Sequence, residues 1–258
     1  MRNFIATMRI SIITLSGLLF FTTILTGQTN KLRPLSELIN TQEPAWTDFL
    51  QQWIKDAKND VEVLPKDKVK ADSALYKSQV TTRSPMGAVV YETGGILIDH
   101  GWIRILGSGD KKLDRNLMDW NKGKTYQNLG EQLPYLLIAD DVLGGFFAIN
   151  AGGLDTSGIG KVFYFAPDDL LWASTYLSYT EFLNFCFSGD IKKFYENLYW
   201  TVWEKDIKSI DGNQGFSFFP FLCTVEGRDI NKDNRKAVPI QELWLLQNDL
   251  RKKFVEGK

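Results

Sequence analysis

The chain has one histidine, His100, and two cysteines, Cys186 and Cys223, among its 258 residues. With no CxxC pair, a zinc or dithiol redox site has little to build on. Any Ser-His-Asp or Cys-His set would have to use His100, and no GxSxG sequence accompanies it. An excess of one charge is missing too. Thirty Lys and Arg stand against 31 Asp and Glu, for a net charge of −1, and no Lys/Arg stripe offers a local footprint for nucleic acid. No motif calls for a cofactor, and neither internal repeats nor low-complexity tracts occur. Hydrophobic residues, by contrast, make up 44% of the chain and aromatic ones 13%, enough for a substantial core.

The N-terminus is the most patterned segment. Arg2 and Arg9 bracket a cationic start, Ile10 to Leu25 is an uncharged run rich in Ile, Leu and Phe, and Thr26, Gly27, Gln28 and Thr29 follow. That three-part pattern is expected of a secretory signal peptide cut after Gly27. An uncut membrane anchor is the alternative. It wants about 20 apolar residues, and this run is shorter and carries Ser11, Thr14, Ser16, Gly17, Thr22 and Thr23. The expected organisation is therefore a leader at 1–27, a helical lead-in at 28–82 and an α+β domain at 83–258, with 32–256 as one globular unit. The expected location is outside the cytoplasm, periplasmic or extracellular, with no membrane association once the leader is removed.

Behind the leader, Trp46, Phe49, Leu50, Trp53, Ile54 and Ala57 recur at helical spacing after Thr41 and Pro44. Asp60 to Lys77 is charged, contains Pro65 and reads as a connection with some weak helix. Ser84 and Pro85 look like a cap and first turn, with a strand through Ala88 to Tyr91 as the alternative. Glycine then punctuates short apolar runs: Ile96 to Ile98, Trp102 to Leu106, Leu133 to Ala139, Phe146 to Ile149 and Lys161 to Phe165. Short Asp- and Gly-rich turns between such runs favour an antiparallel sheet. Helical spacing returns after Ser178 or Thr180, after Asp190 through Val202, and after Pro239. Phe216 to Val225, interrupted by Pro220, suits an edge strand. The expected fold is α+β: an antiparallel sheet of about five to six strands with helices before and after it.

Candidate binding residues are few. Asp140-Asp141 and Asp168-Asp169 both follow apolar runs. Paired carboxylates can bind a cation or divide acid and base roles in glycoside cleavage, whereas aspartates at strand ends ordinarily form Asx turns. If the two turns share a sheet edge, they form one acidic, Gly-flanked rim suited to a basic partner. His100 and Trp102 lie in a turn of the first hairpin. The stretch Ala151 to Gly160 has phosphate-loop glycines but no Walker lysine and is followed by a strand, so it reads as a hairpin connection. Phe194, Tyr195, Tyr199, Trp200 and Trp203 could stack sugars or could simply be buried. Cys186 and Cys223 allow a disulfide or two buried free thiols. No metal site is expected.

Taken together, RSPMGAVVYETGGILIDHGWIRILGSG (Arg83 to Gly109), LPYLLIADDVLGGFFAINAGG (Leu133 to Gly153), KVFYFAPDDLLWAS (Lys161 to Ser174) and YTEFLNF (Tyr179 to Phe185) resemble the bacterial family of domain of unknown function 2625. That resemblance implies a shared fold and no mechanism. The order of an acid-ended apolar run, a glycine turn, a strand ending in Asn, VFYF, Asp residues and a helix opening EFL is more distantly similar to the Smi1/Knr4 (SUKH) superfamily. This second resemblance implies a SUKH-like α+β scaffold used as a toxin-immunity or protein-binding module. Two features depart from it: the export leader, and a long extension after Gly189. The expected function is a secreted binding or interaction module with a protein partner and no catalysis. The rival is a carbohydrate-active hydrolase using the paired aspartates.

Overall fold

The computed structural model describes residues 32–257; the leader expected at 1–27 lies outside the described residues. A short helix α1 (Leu35–Leu38) and a π-helical turn Trp46–Leu50, continuing as α2 (Gln51–Lys55), come first. They lead into β1 (Val61–Leu64), α3 (Lys68–Ser78) and α4 (Pro85–Glu92). The central strands are β2 (Gly95–Ile98), β3 (Ile103–Leu106), β4 (Tyr135–Asp141), β5 (Phe146–Asn150), β6 (Val162–Phe165) and β7 (Trp172–Ser174), with α5 (Leu117–Asn121) between β3 and β4. Last come α6 (Tyr179–Ser188), α7 (Ile191–Phe194), α8 (Trp203–Ile207), β8 (Gln214–Phe219), β9 (Asn234–Pro239) and α9 (Ile240–Arg251).

Strands β1 to β7 pair in chain order, every neighbour antiparallel. The fold is α+β as expected, with a sheet of seven strands where five to six were expected. The additional strand at the N-terminal edge is β1, inside the segment expected to be a helical lead-in. Its four residues pair with β2 from Val61↔Ile98 to Leu64↔Gly95, so residues before 83 complete the same sheet. The run was too short and too charged to stand out, and its conformation is set by pairing. After β1 the same segment forms α3, an 11-residue helix capped by Asp67, which accepts from the Lys70 amide at 3.0 Å.

Alternation along the strands decides which residues share a face. One row across the sheet is Glu62, Leu97, Arg104, Asp140, Phe146 and Phe165; the row of opposite parity is Val63, Ile96, Ile105, Ala139, Phe147 and Tyr164. Helices α6 and α7 cover the second face, with Phe182 against Phe147 and Phe194 against Tyr164 at ring separations of 4.9 and 5.2 Å. On the first face, Trp244 of α9 meets Phe146 edge-on at 4.9 Å. Near it the β8–β9 ribbon is tied down where the Phe216 amide donates to the Val142 carbonyl at 2.7 Å. Cover on both sides explains why β2 and β6 read as unbroken apolar runs. Each fully buried Phe here contributes about 1.5–3 kcal/mol of transfer free energy.

Helix starts follow local chemistry. Ser84 accepts from the Gly87 amide, with Pro85 in the first turn, so Ala88 to Tyr91 is helix and the strand alternative is set aside. Ser178 and Glu181 form a reciprocal capping box. Asp190 caps α7 as expected, but that helix stops at Phe194. Asn197 takes a positive φ of 70°, which breaks the spacing that had suggested helix through Val202. Strand β8 lies in a separate two-stranded ribbon with β9, so the Phe216 run is an edge strand, though not of the main sheet.

Candidate functional site

The two aspartates at the end of β4 point to opposite faces, and both are fully buried at 0% exposure. On one face Asp140 sits across from its strand partner Arg104, Nη2 to Oδ1 at 2.7 Å, and beside Arg115, Nη1 to Oδ2 at 2.5 Å. Arg115 also donates from Nη2 to the Gly212 carbonyl at 2.7 Å and lies over the Trp120 ring. Arg104 is 1% exposed. Its Nε and Nη1 find no acceptor, and its close contact with Asp140 lacks hydrogen-bond alignment. Burial holds this guanidinium below its ordinary range, and the Asp140 charge opposes the effect.

On the other face Asp141 closes the β4–β5 turn. Its Oδ1 accepts from the Leu143 and Gly145 amides at 2.9 and 2.8 Å, and its Oδ2 accepts from the hydroxyls of Tyr164 and Tyr195 at 2.7 and 3.0 Å. Burial raises the Asp141 carboxyl while these donors pull the other way. Both tyrosine hydroxyls are pushed well up, first by burial and then by the Asp141 charge. The Gly145 backbone leaves no space for a side chain, since an added Cβ would fall 2.3 Å from Asp141 Oδ2.

The β6–β7 turn lies at the same end of the sheet, because Phe146 and Phe165 pair beside both turns. The four-carboxylate rim is nonetheless not assembled, because Asp140 and Asp141 are turned inward. Asp169 accepts from the Leu171 amide at 2.8 Å, an Asx turn at a strand end. Asp168 lines a cleft of about 470 Å³ together with Glu196, Leu222, Cys223, Val225 and Arg228. Partial burial, then the neighbouring Asp169 charge, raises the Asp168 carboxyl. Val225 of this lining is 70% exposed, and Phe219, 66% exposed, packs edge-on against Phe221, the residue before Leu222.

Trp102, expected as a binding residue, is fully buried, so it cannot touch a ligand. Its ring lies 4.1 Å from Tyr199, 5.4 Å from Tyr195 and 5.3 Å from Trp203. Tyr195 and Trp200 are buried as well and Tyr199 and Trp203 are half-buried against Trp102, so of the aromatic series only Phe194 is exposed and no continuous sugar platform is presented. His100 is placed differently. Asp99, His100 and Gly101 take positive φ of 46°, 61° and 95° in the β2–β3 turn. For the two non-glycine residues this is a strained conformation that needs support. Asp60 supplies it: its Oδ2 is 3.0 Å from His100 Nδ1 and accepts from the His100 amide at 3.2 Å. His100, Asp60, Lys208 and Asp211 line a second cleft, of about 380 Å³.

Both cysteines are free thiols, so the optional disulfide is not formed. Cys186 is buried on α6, with its thiol pushed well up by burial, while half-buried Cys223 lies in the cleft beside Asp168. Among the described residues no group of three His, Cys, Asp or Glu is disposed to hold a metal, and no helix is long and apolar enough to cross a membrane. The glycine loop after β5 is organised by Asn150, whose Oδ1 accepts from the Gly152 and Leu154 amides and whose Nδ2 donates to the Asp155 and Ser157 carbonyls. Those amides are thereby unavailable to a phosphate. Sequence reasoning missed Arg104, Arg115 and Asp60. An arginine inside the run Ile103-Arg104-Ile105-Leu106 was the one available signal, since a charge there needs a buried partner.

The family described as protein of unknown function DUF2625 matches residues 35–243. The chain belongs to this family. It is 47% identical over 207 residues to an uncharacterised protein of Haemophilus influenzae, covering 80% of this chain and 86% of that one. It is 42% identical over 225 residues to the uncharacterised protein YbfG of Escherichia coli K12, covering 87% of this chain and all of that one. No solved structure matches the chain, so the likeness to the Smi1/Knr4 superfamily rests on the sequence pattern alone.

Proposed function

We infer that this DUF2625 protein is an exported, non-catalytic binding module that takes a basic, partly apolar segment of a partner protein in the cleft beside Asp168. One observation carries this reading: the Asp140–Asp141 pair needed by a hydrolase is fully buried, split between two faces and already bonded. The acids left at the surface of that sheet end, Asp168 and Asp169, adjoin a cleft that also holds Glu196, apolar Leu222 and Val225, and one arginine, Arg228. Exposed Phe219 extends the apolar surface. An acidic wall next to exposed aromatic and branched residues suits a partner presenting Lys or Arg among apolar side chains. The sequence pattern of the leader supports export, and an immunity-like role follows only through the superfamily resemblance.

Fluorescence anisotropy with labelled peptides that alternate Lys or Arg with Phe or Leu tests the reading. Saturable binding is expected, weakened at least about tenfold, or ~1.4 kcal/mol, by Asp168→Lys combined with Glu196→Lys. Binding indifferent to that double change refutes it. So does polysaccharide hydrolysis by the purified protein that Asp168→Asn abolishes.

A further inference from the structure

The second cleft, around His100, shares no lining residue with the proposed partner cleft and carries a pattern of its own. At about 380 Å³ it falls within the ~300–1,000 Å³ of small-molecule sites. Two pairs in its lining already face each other: Glu62 with Lys112, and Asp60 with His100. Two charges lack such a partner. The Lys208 ammonium has no ion-pair or hydrogen-bond partner among the described residues, and Asp211 uses Oδ1 for the Asn213 amide at 2.9 Å and leaves Oδ2 free. The two are three residues apart and line one cavity, yet they do not pair with each other. Leu97, Ile207 and Ile210 supply an apolar lining to the same cleft.

We propose that this cleft binds a free apolar α-amino acid, with Lys208 taking its carboxylate, Asp211 its ammonium, and Leu97, Ile207 and Ile210 its side chain. The ligand's two charges are the complement of the two that the protein leaves unmatched, so binding restores ion pairing on both sides. His100 fits the same scheme. With Nδ1 3.0 Å from Asp60 Oδ2, the tautomer carrying its hydrogen on Nδ1 presents Nε2 as an acceptor for an N–H of the ligand's ammonium. The left-handed run from Asp99 to Gly101 brings this imidazole into the cleft, and Asp60 holds it there against the strain. Neither Glu62 nor Lys112 substitutes for the recognition groups, because each already faces the other.

Isothermal titration of the full mature protein with L-leucine, N-acetyl-L-leucine, L-leucinamide and glycine tests the proposal. Leucine is expected to bind saturably at one site. Each blocked derivative lacks one charge, and glycine lacks the side chain, so all three should bind at least about tenfold more weakly. Lys208→Ala and Asp211→Asn should each weaken leucine by a similar factor, with Lys208→Arg restoring part of the loss. The Asp168→Lys change in the other cleft should leave leucine binding unaltered. Lys208 and Asp211 are exposed, so these variants keep the fold, which circular dichroism checks. Absence of saturable leucine binding, equal affinity for the blocked derivatives or glycine, or indifference to Lys208→Ala and Asp211→Asn overturns it.

Discussion

Replacing Asp140 with Asn tests whether this carboxylate is a structural counter-charge or a reactive group. The change keeps size and shape but takes away the carboxylate that faces both Arg104 and Arg115. Arg104 is 1% exposed, so its positive charge would remain inside the protein with its ion-pair partner gone. Breaking a buried pair from one side costs about 3–5 kcal/mol, a large share of a typical stability of about 5–15 kcal/mol. The reverse change, Arg104→Met, has a different consequence. It removes a guanidinium whose Nε and Nη1 are already unpartnered and leaves Asp140 paired with Arg115. Its expected cost is about 1 kcal/mol or less, because an apolar side chain can replace a poorly bonded buried charge with little loss. Urea denaturation followed by tryptophan fluorescence measures both, with an unchanged slope confirming that stability alone has moved. If Asp140→Asn costs under about 1 kcal/mol, or Arg104→Met costs more than Asp140→Asn, the assignment of Asp140 as counter-charge is wrong. A catalytic acid would give the opposite outcome, with activity lost and stability kept or improved.

Tyr164→Phe and Tyr195→Phe each remove a donor to Asp141 Oδ2. Each should cost about 1.5–3 kcal/mol in chemical denaturation, and because they share one oxygen the double variant should depart from additivity by at least about 0.5 kcal/mol. Asp233 is buried, with both carboxylate oxygens unpartnered, and burial followed by the Asp229 charge raises its pKa. A carboxyl harder to ionise folded than unfolded loses stability as pH climbs from the unfolded-state value through the folded one, and regains it on acidification. Asp233→Asn should therefore raise the melting temperature at pH 7 and flatten that part of the pH profile, and a lowered melting temperature would contradict the assignment. A thiol reagent should label one cysteine in the folded protein, Cys223, and two after denaturation without reductant. Failure to find two under those conditions would mean a disulfide.

Much of the local structure was legible, and the reason can be seen residue by residue. Ser84 with Pro85, Ser178 with Glu181, and Asp190 stand where a helix needs acceptors for its free amides, and each does that work. The glycine-flanked turns at 99–101, 141–145 and 151–160 connect strands as their composition suggested. The site was much less legible. Asp140 and Asp141 looked like one acidic unit, although strand alternation alone sends neighbours to opposite faces, and their burial depends on Arg104, Arg115, Tyr164 and Tyr195 arriving from other elements. Trp102 looked available and is enclosed by aromatic rings from about a hundred residues later.

Composition, spacing and caps were sufficient for the α+β class, the antiparallel sheet and its main strands, because backbone periodicity and short-range hydrogen bonds act within a few residues. Only the tertiary structure decided that Val61–Leu64 joins the sheet, that the two thiols stay apart, that Asp140 is a counter-charge while Asp141 ties the turn to two tyrosines, and that Asp60 meets His100. Each of those outcomes depends on which distant chain segment packs against which. That is set by burying the whole apolar surface at once, and no local window contains it.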